Sequence, residues 1–375
     1  MALLDSLTSL SSLNNPRSPS GIVRTPRPLV AVNGFKLSEG AVISVDVTNA
    51  AHFTADTYRV ELAVKGLPAA FSPDYWSDSQ DDRISIGISL NGETPEPLIV
   101  GQVDDVSWDL TGRSITLSGR DLSAGFIDNK TAEKFQNQTA SQIAQTLALR
   151  RGLDSVVQAT TTLAGTYYQI DHAVATHEQT EWDLLVYLAE REGFDVWVSG
   201  TTLHFEPSPA TTGTPYLLLW SQPGDGTFAS NAEDIHLGRS QTLARDVIVE
   251  VRSWNQKQQA AFTVTAKRSQ AKKSQRKGGA SQTYSFVRPN LTRDQAQQFA
   301  EAKAEEITRH ERTMAASLPG DDKLIPRSMV RLVGTGTSWD QLYYPDTVTR
   351  RLSMQEGYRM DLKAKNHSTQ DAVLI

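Results

Sequence analysis

The sequence has no cysteine, which excludes a disulfide framework, a thiolate metal site and a cysteine nucleophile, and is typical of a chain made in a reducing cytoplasm. It also lacks an excess of basic charge: the formal net charge is −6, so any surface for nucleic acid has to be local. No run of about 18 apolar residues occurs, so no stable membrane insertion is expected. The first residues carry Asp5 where a secretory signal has a basic region, and a long apolar core is missing there too, so no such signal is expected. What remains is a chain of 375 residues, long enough for two or three domains with separate cores.

Residues 1–28 are rich in Ser, Asn and Pro and read as a flexible N-terminal arm, or as one that orders on a neighbouring subunit. From Leu29 the pattern is that of short strands: Leu29–Val32 before an Asn33-Gly34 turn, then 41–47, 58–64 and Arg83–Ile88, each with period two. Two further apolar runs, Leu98–Val100 and Ile115–Leu117, enclose Asp104-Asp105 and Thr111-Gly112-Arg113 and predict a hairpin. These strands predict one closed or nearly closed β-barrel over 29–125. Asp78, Asp81 and Asp82 do not match an EF-hand and predict a solvated acidic loop. The Asp104-Asp105 pair predicts an exposed turn and no carboxylate dyad.

Residues 126–210 predict an α+β middle domain. Capping boxes at Thr139/Gln142 and Thr180/Asp183 open two helices. Ile143, Ala144 and Leu147 form the apolar face of the first; Trp182, Leu185, Leu188 and Ala189 form that of the second, which ends at Gly193. A hairpin follows, Phe194–Val198 and Leu203–Phe205, turning at Ser199-Gly200.

Residues 211–375 predict a second barrel, opened by 217–220 and 246–254 and closed by strands after residue 329. It carries a basic loop at 267–279 and a helical insertion at 292–315, whose helix is predicted over 293–314 from a Thr292/Gln295 capping box. The basic run could touch nucleic acid, but no aromatic residue is interleaved for base stacking, and a solvated loop has the same composition. Gly334-x-Gly336 is followed by no helix and no Lys-Ser/Thr, and predicts a tight strand connection in place of a phosphate loop. His172 and His177 with Glu178 or Glu181 lack the spacing of a zinc site. The chain thus reads as mainly β with α+β insertions, with no catalytic, cofactor-binding or metal residues.

Three segments carry a resemblance. Ser118-Gly119-Arg120-Asp121-Leu122-Ser123 with Asp128-Asn129-Lys130-Thr131, the helix-then-hairpin from Thr180 to Pro207, and the closing stretch with Gly334, Gly336, Trp339, Asp340, Tyr343 and Gly357-Tyr358 resemble, in this order, the late-control-protein D family of phage tail baseplate hubs, to which the base of type VI secretion spikes is similar. The resemblance implies two tube-protein-like β-barrels joined by a helix-plus-hairpin middle region. It further implies a homotrimer forming a pseudo-sixfold ring that joins the tail tube protein to the central spike protein, beside other baseplate proteins, in a contractile tail. DNA would be met only in transit through the channel. The expected location is the virion baseplate, after synthesis in the host bacterial cytoplasm. Two other readings stay open: a baseplate-associated cell-wall hydrolase, for which no lytic segment stands out, and a carbohydrate-binding receptor module, suggested by seven tryptophans.

Overall fold

The computed structural model describes residues 25–366, apart from 52, 91–95, 132, 134, 136–137, 162–178, 208–213, 223–227, 241–246, 256–259, 269–281, 289–290 and 310. The N-terminal arm up to residue 24, most of the basic loop, and His172 and His177 lie outside these residues.

Alternation sets the first strands. β1 (Pro26–Val32) turns through Asn33 and Gly34, both at positive φ (50° and 81°), into β2 (Phe35–Lys36), the geometry of a two-residue hairpin loop. β3 (Val42–Ala50) and β4 (Thr57–Ala63) follow, then helix α1 (Pro73–Asp78), β5 (Arg83–Leu90), β6 (Ile99–Asp109) and β7 (Ser114–Asp121). Two acidic expectations are corrected here. Asp82 is buried, not solvated, because it accepts hydrogen bonds from Asn33 Nδ2 (2.7 Å) and the Tyr75 hydroxyl. Asp104 and Asp105 lie inside β6, where the register against β7 shifts between Val103 and Asp105; the extra residue is a β-bulge, and the turn comes later, at 110–113.

The middle region holds α2 (Ala124–Ile127), β8 (Lys130–Thr131), α3 (Ala140–Arg150), β9 (Asp154–Val157), β10 (Gln179–Thr180), α4 (Glu181–Glu192), β11 (Phe194–Ser199) and β12 (Thr202–Pro207). Both capping boxes form, and Gly193 ends α4 in the left-handed conformation (φ 70°). The predicted apolar faces of α3 and α4 meet over Val196, Val198, Leu203 and Phe205. β9 joins β12 in parallel, a long-range pairing that local pattern does not announce.

The last part contains β13 (Tyr216–Ser221), β14 (Ala229–Ser230), β15 (Asp234–Arg239), β16 (Val247–Asn255), β17 (Ala260–Arg268), β18 (Gln282–Val287), α5 (Arg293–Arg309), β19 (Arg312–Pro319), β20 (Val330–Val333), β21 (Leu342–Ser353) and β22 (Gly357–Asn366). β16, β17 and β18 form a separate sheet. Its buried residues Val247, Val249, Val251 and Val264 share a core with Ala296, Ala300 and Ala304 of α5. The helix ends before the predicted residue 314: Met314, Ala316 and Leu318 are buried at period two, so this segment is β19.

The mainly β expectation holds, and the strands of both halves join in one 14-stranded sheet. Among the described residues no ladder closes into a separate barrel. Through its middle run eight antiparallel strands in the order β15-β19-β22-β21-β3-β4-β7-β6. Residues directly opposite on neighbouring strands share a face. One face therefore carries Val45, Val47, Val60, Leu117 and Leu352 in one core and Val348, Leu362, Ala316 and Met314 in a second. The other carries Asp46, Arg59, Glu61, Thr349, Arg351 and Asp361, with Arg351 bridging Asp46 and Asp361.

Between the two cores, on the apolar face, stands Arg350, with no exposed surface. Its Nε donates to the Asp321 carbonyl (2.8 Å), Nη1 to Asn49 Oδ1 (2.8 Å) and Nη2 to the Leu324 carbonyl. Arg350→Met leaves those three acceptors without their donor. It is expected to lower stability by about 3 kcal/mol, the size of losing charge-assisted bonds to buried acceptors, measured as a fall in the urea midpoint.

Candidate functional site

The segment from Ser118 to Thr131 forms a corner where β7 leaves the sheet for the middle region. Its glycine is required by packing: a Cβ on Gly119 would stand 2.0 Å from the Gln102 carbonyl oxygen and 2.8 Å from the Tyr58 hydroxyl. Across the bulge, a Cβ on Gly101 would meet the Arg120 carbonyl oxygen at 2.3 Å. The two backbones approach this closely because the bulge tightens β6 against β7, and Tyr58 closes the gap by donating to Gln102 O at 2.8 Å.

Arg120 uses both edges of its guanidinium. Nε and Nη2 donate to Asp104 at 2.7 and 3.0 Å, while Nη1 and Nη2 donate to Asp128 at 2.9 and 2.8 Å. The bulge residue and the exit of α2 are thereby tied to β7 through two bidentate contacts. Arg120 holds the Asp128 carboxyl below its ordinary range.

Asp121 points the other way, into the protein. Its Oδ1 accepts from Ser123 N at 3.0 Å and from the Ser123 hydroxyl, and its Oδ2 accepts from Asp56 N at 3.3 Å. Asp56 in turn accepts from Ala50 N and from Asn49 Nδ2, both at 2.7 Å. Asn49 is the residue that receives Arg350, so one hydrogen-bonded path runs from Arg350 through Asn49 and Asp56 to Asp121 and Ser123. Burial, with the Asp56 carboxylate beside it, pushes the Asp121 carboxyl up to about 7. Arg327 lies on the same side, its guanidinium carbon 4.4 Å from the centre of the Trp197 ring; Trp197 stacks on His204 at 4.7 Å. Trp182 Nε1 donates to Phe53 O at 2.8 Å and adds a further tie between the middle region and the β3–β4 connection.

Chemically this is a framework of matched donors and acceptors that fixes three parts of the chain to one another. Asp104, half of the expected acidic pair, is committed to Arg120. In the Gly334–Gly336 turn, Asp340 accepts from Thr335 N, Thr335 Oγ1 and Gly336 N at 3.0, 2.7 and 2.9 Å. The donors that a phosphate would need are thus engaged by a carboxylate. Among the described residues no group of three His, Cys, Asp or Glu is placed to hold a metal ion, and no helix is long and apolar enough to cross a membrane. Sequence reading missed Asn49, Asp56 and Arg350. The available signal was a polar residue at an inward position of an alternating strand, after Val45 and Val47 and between Val348 and Leu352.

Residues 107–356, which include the corner, α4 with its hairpin and the Gly334–Gly336 turn, match the phage tail baseplate hub (GPD) family. The chain belongs to that family. It is a structural protein of the phage tail baseplate. No curated protein matches the hub's sequence. Among solved structures, a tail protein from Neisseria meningitidis MC58 is similar at 15% identity and TM-score 0.68, over 92% of the hub and 99% of that chain. The 43 kDa tail protein of prophage MuSo2 from Shewanella oneidensis is similar at 15% identity and TM-score 0.63, over 93% and 99%. An E. coli protein described as a component of the type VI secretion system, with structural similarity to T4 bacteriophage tail proteins gp27 and gp5, is similar at 10% identity and TM-score 0.54, over 92% and 78%. At these identities the likeness is one of fold.

Two outcomes test the corner. Gly119→Ala forces backbone apart at the bulge and is expected to cost about 1–3 kcal/mol, as overpacking does, read from chemical denaturation. The Asp121 carboxyl, raised to about 7 in the folded hub against about 3.9 unfolded, keeps a proton in the folded state that the unfolded chain has lost. Its contribution is fully present below about pH 4 and is lost as pH rises through about 7. Relative to Asp121→Asn, the hub is therefore expected to lose up to about 1.4 kcal/mol per pH unit across that window, measured by urea titrations at stepped pH.

Proposed function

We propose that this hub acts by assembly and conduit, as a homotrimer whose two halves, 29–125 and 211–375, serve as tube-protein-like barrels flanking the middle domain 126–210. Three chains then present six barrel-like units, a pseudo-sixfold ring that adapts the tail tube to a threefold central spike and leaves a channel for DNA. The observation that carries this reading is the antiparallel sheet shared by the two halves, with both cores on one face and a mainly polar face on the other. Such a sheet sets one core from each half on the same wall, as a ring of repeated units requires. The polar face mixes both signs of charge, with Arg351 held between Asp46 and Asp361. A wall that mixes both signs of charge holds passing DNA less tightly than a uniformly cationic one.

The test is the solution mass, by light scattering over a concentration series. The expected result is a species of three times the 41.2 kDa chain mass, either throughout or growing in as concentration rises. A monomer or dimer at every concentration overturns the trimeric ring.

A further inference from the structure

The separate sheet of β16, β17 and β18 has one face packed on α5 and the other open to solvent. Alternation decides which residues stand on the open face. With Val247, Val249 and Val251 turned to the helix, β16 presents Arg252 and Trp254 outward, and Trp254 is 52% exposed. On β17 the register sets Thr263 beside Arg252, Thr265 beside Glu250 and Lys267 beside Ile248. On β18, Thr283 and Ser285 flank Ile248 and Glu250 from the other side. The two cations and the four hydroxyl-bearing residues are all exposed.

Charge singles out the same element. Between Val247 and Thr292 the sequence holds nine Lys and Arg against one carboxylate, Glu250, in a chain whose formal net charge is −6. This excursion from the large sheet therefore carries a field opposite in sign to that of the rest of the chain. Glu250 stands on the open face, partly buried, with Oε2 3.7 Å from Arg252 Nη2. That is too long for a hydrogen bond, so it leaves the Arg252 donors available to a ligand. Folding also supplies the aromatic residue that the basic run lacks: Trp254 lies two residues from Arg252 on the same face, about 6.6 Å along the strand.

We propose that the open face of this sheet binds single-stranded nucleic acid, with Arg252 and Lys267 on phosphates, the Thr and Ser hydroxyls on phosphate or sugar oxygens, and Trp254 stacked on a base. Cations and hydroxyls are the groups that hold a sugar–phosphate backbone. A helix-backed sheet with an exposed aromatic side chain is a platform on which unpaired bases stack. Trp254 favours a single strand over a duplex, whose bases are already stacked on one another. The site lies within one chain, so it does not depend on the trimeric reading above.

The test is fluorescence anisotropy of a labelled oligothymidylate titrated with the full-length hub, at salt concentrations from about 50 to 200 mM. The variants are Trp254→Ala, the double variant Arg252→Ala/Lys267→Ala, and Glu250→Gln, each with its fold confirmed by far-UV circular dichroism. The unaltered hub is expected to bind, and to bind more weakly as salt rises. Trp254→Ala is expected to lower the affinity about tenfold through the lost stacking. The double variant is expected to lower it as well and to reduce the slope of log affinity against log salt by about 0.7 for each phosphate contact removed. Glu250→Gln, which takes a carboxylate off the face, is expected to tighten binding. Absence of binding at the lowest salt overturns the proposal, as does binding that all of these variants leave unchanged. A duplex of the same length held as tightly as the single strand overturns it too, and so does binding to phosphatidylserine vesicles in place of the oligonucleotide.

Discussion

A guanidinium with no access to water stands at the centre of this fold. Burying a charge costs several kcal/mol unless it is hydrogen-bonded, and Arg350 is hydrogen-bonded only if two separate segments converge on β21. The 321–324 segment brings two carbonyls, and β3 brings Asn49. Asn49 can accept from Arg350 only while its amide donates to Asp56 and to the Leu98 carbonyl, and Asp56 in turn engages Asp121 at the corner. The same loop carries Arg327, which lies over Trp197 of the middle region. One buried charge thus ties the two cores and the helical region into a single arrangement.

That arrangement explains why the sheet runs through both halves instead of stopping between them. β3 and β21 pair over Ser44–Ala50 and Thr347–Ser353 with their inward residues in one row, and at the junction the row changes from Val45 and Val47 to Asn49, and from Leu352 to Arg350. An apolar pair there would merge the cores without fixing their relation. A directional set of hydrogen bonds fixes the register, since a slip of one residue would turn Arg350 to the polar face and leave Asn49 unmatched.

The sequence was most legible where structure is local. Period-two runs marked the strands of the first half, capping boxes marked α3, α4 and the start of α5, and the glycines at 34, 193 and 200 marked turns with positive φ. It was least legible where a residue's partner lies far along the chain. Asp82 and Asp104 look like members of acidic loops until Asn33 and Arg120, 49 and 16 residues away, are placed against them. The end of α5 was misread because residues 310–314 continue a helical composition, and only pairing with β22 and β15 claims Met314 for a strand. The span of one sheet across both halves had no local signature, because it depends on β3 and β21, about 300 residues apart.

The Ser118–Thr131 corner clarifies what kind of signal a short motif can be in a protein whose work is to assemble. Each of its residues answers a geometric demand: glycine where a bulge leaves no room for a Cβ, arginine where two carboxylates must be bridged with bidentate geometry, aspartate where a buried turn needs acceptors, serine to fill one of them. None of these demands requires chemistry on a substrate. Elsewhere the demand is only for an apolar residue of suitable size, and cores of this kind accept many sequences. That asymmetry accounts for a fold shared at TM-score 0.68 with a chain only 15% identical. The pattern of alternation carries most of the architecture, and a few positions with no substitute fix how its parts are joined.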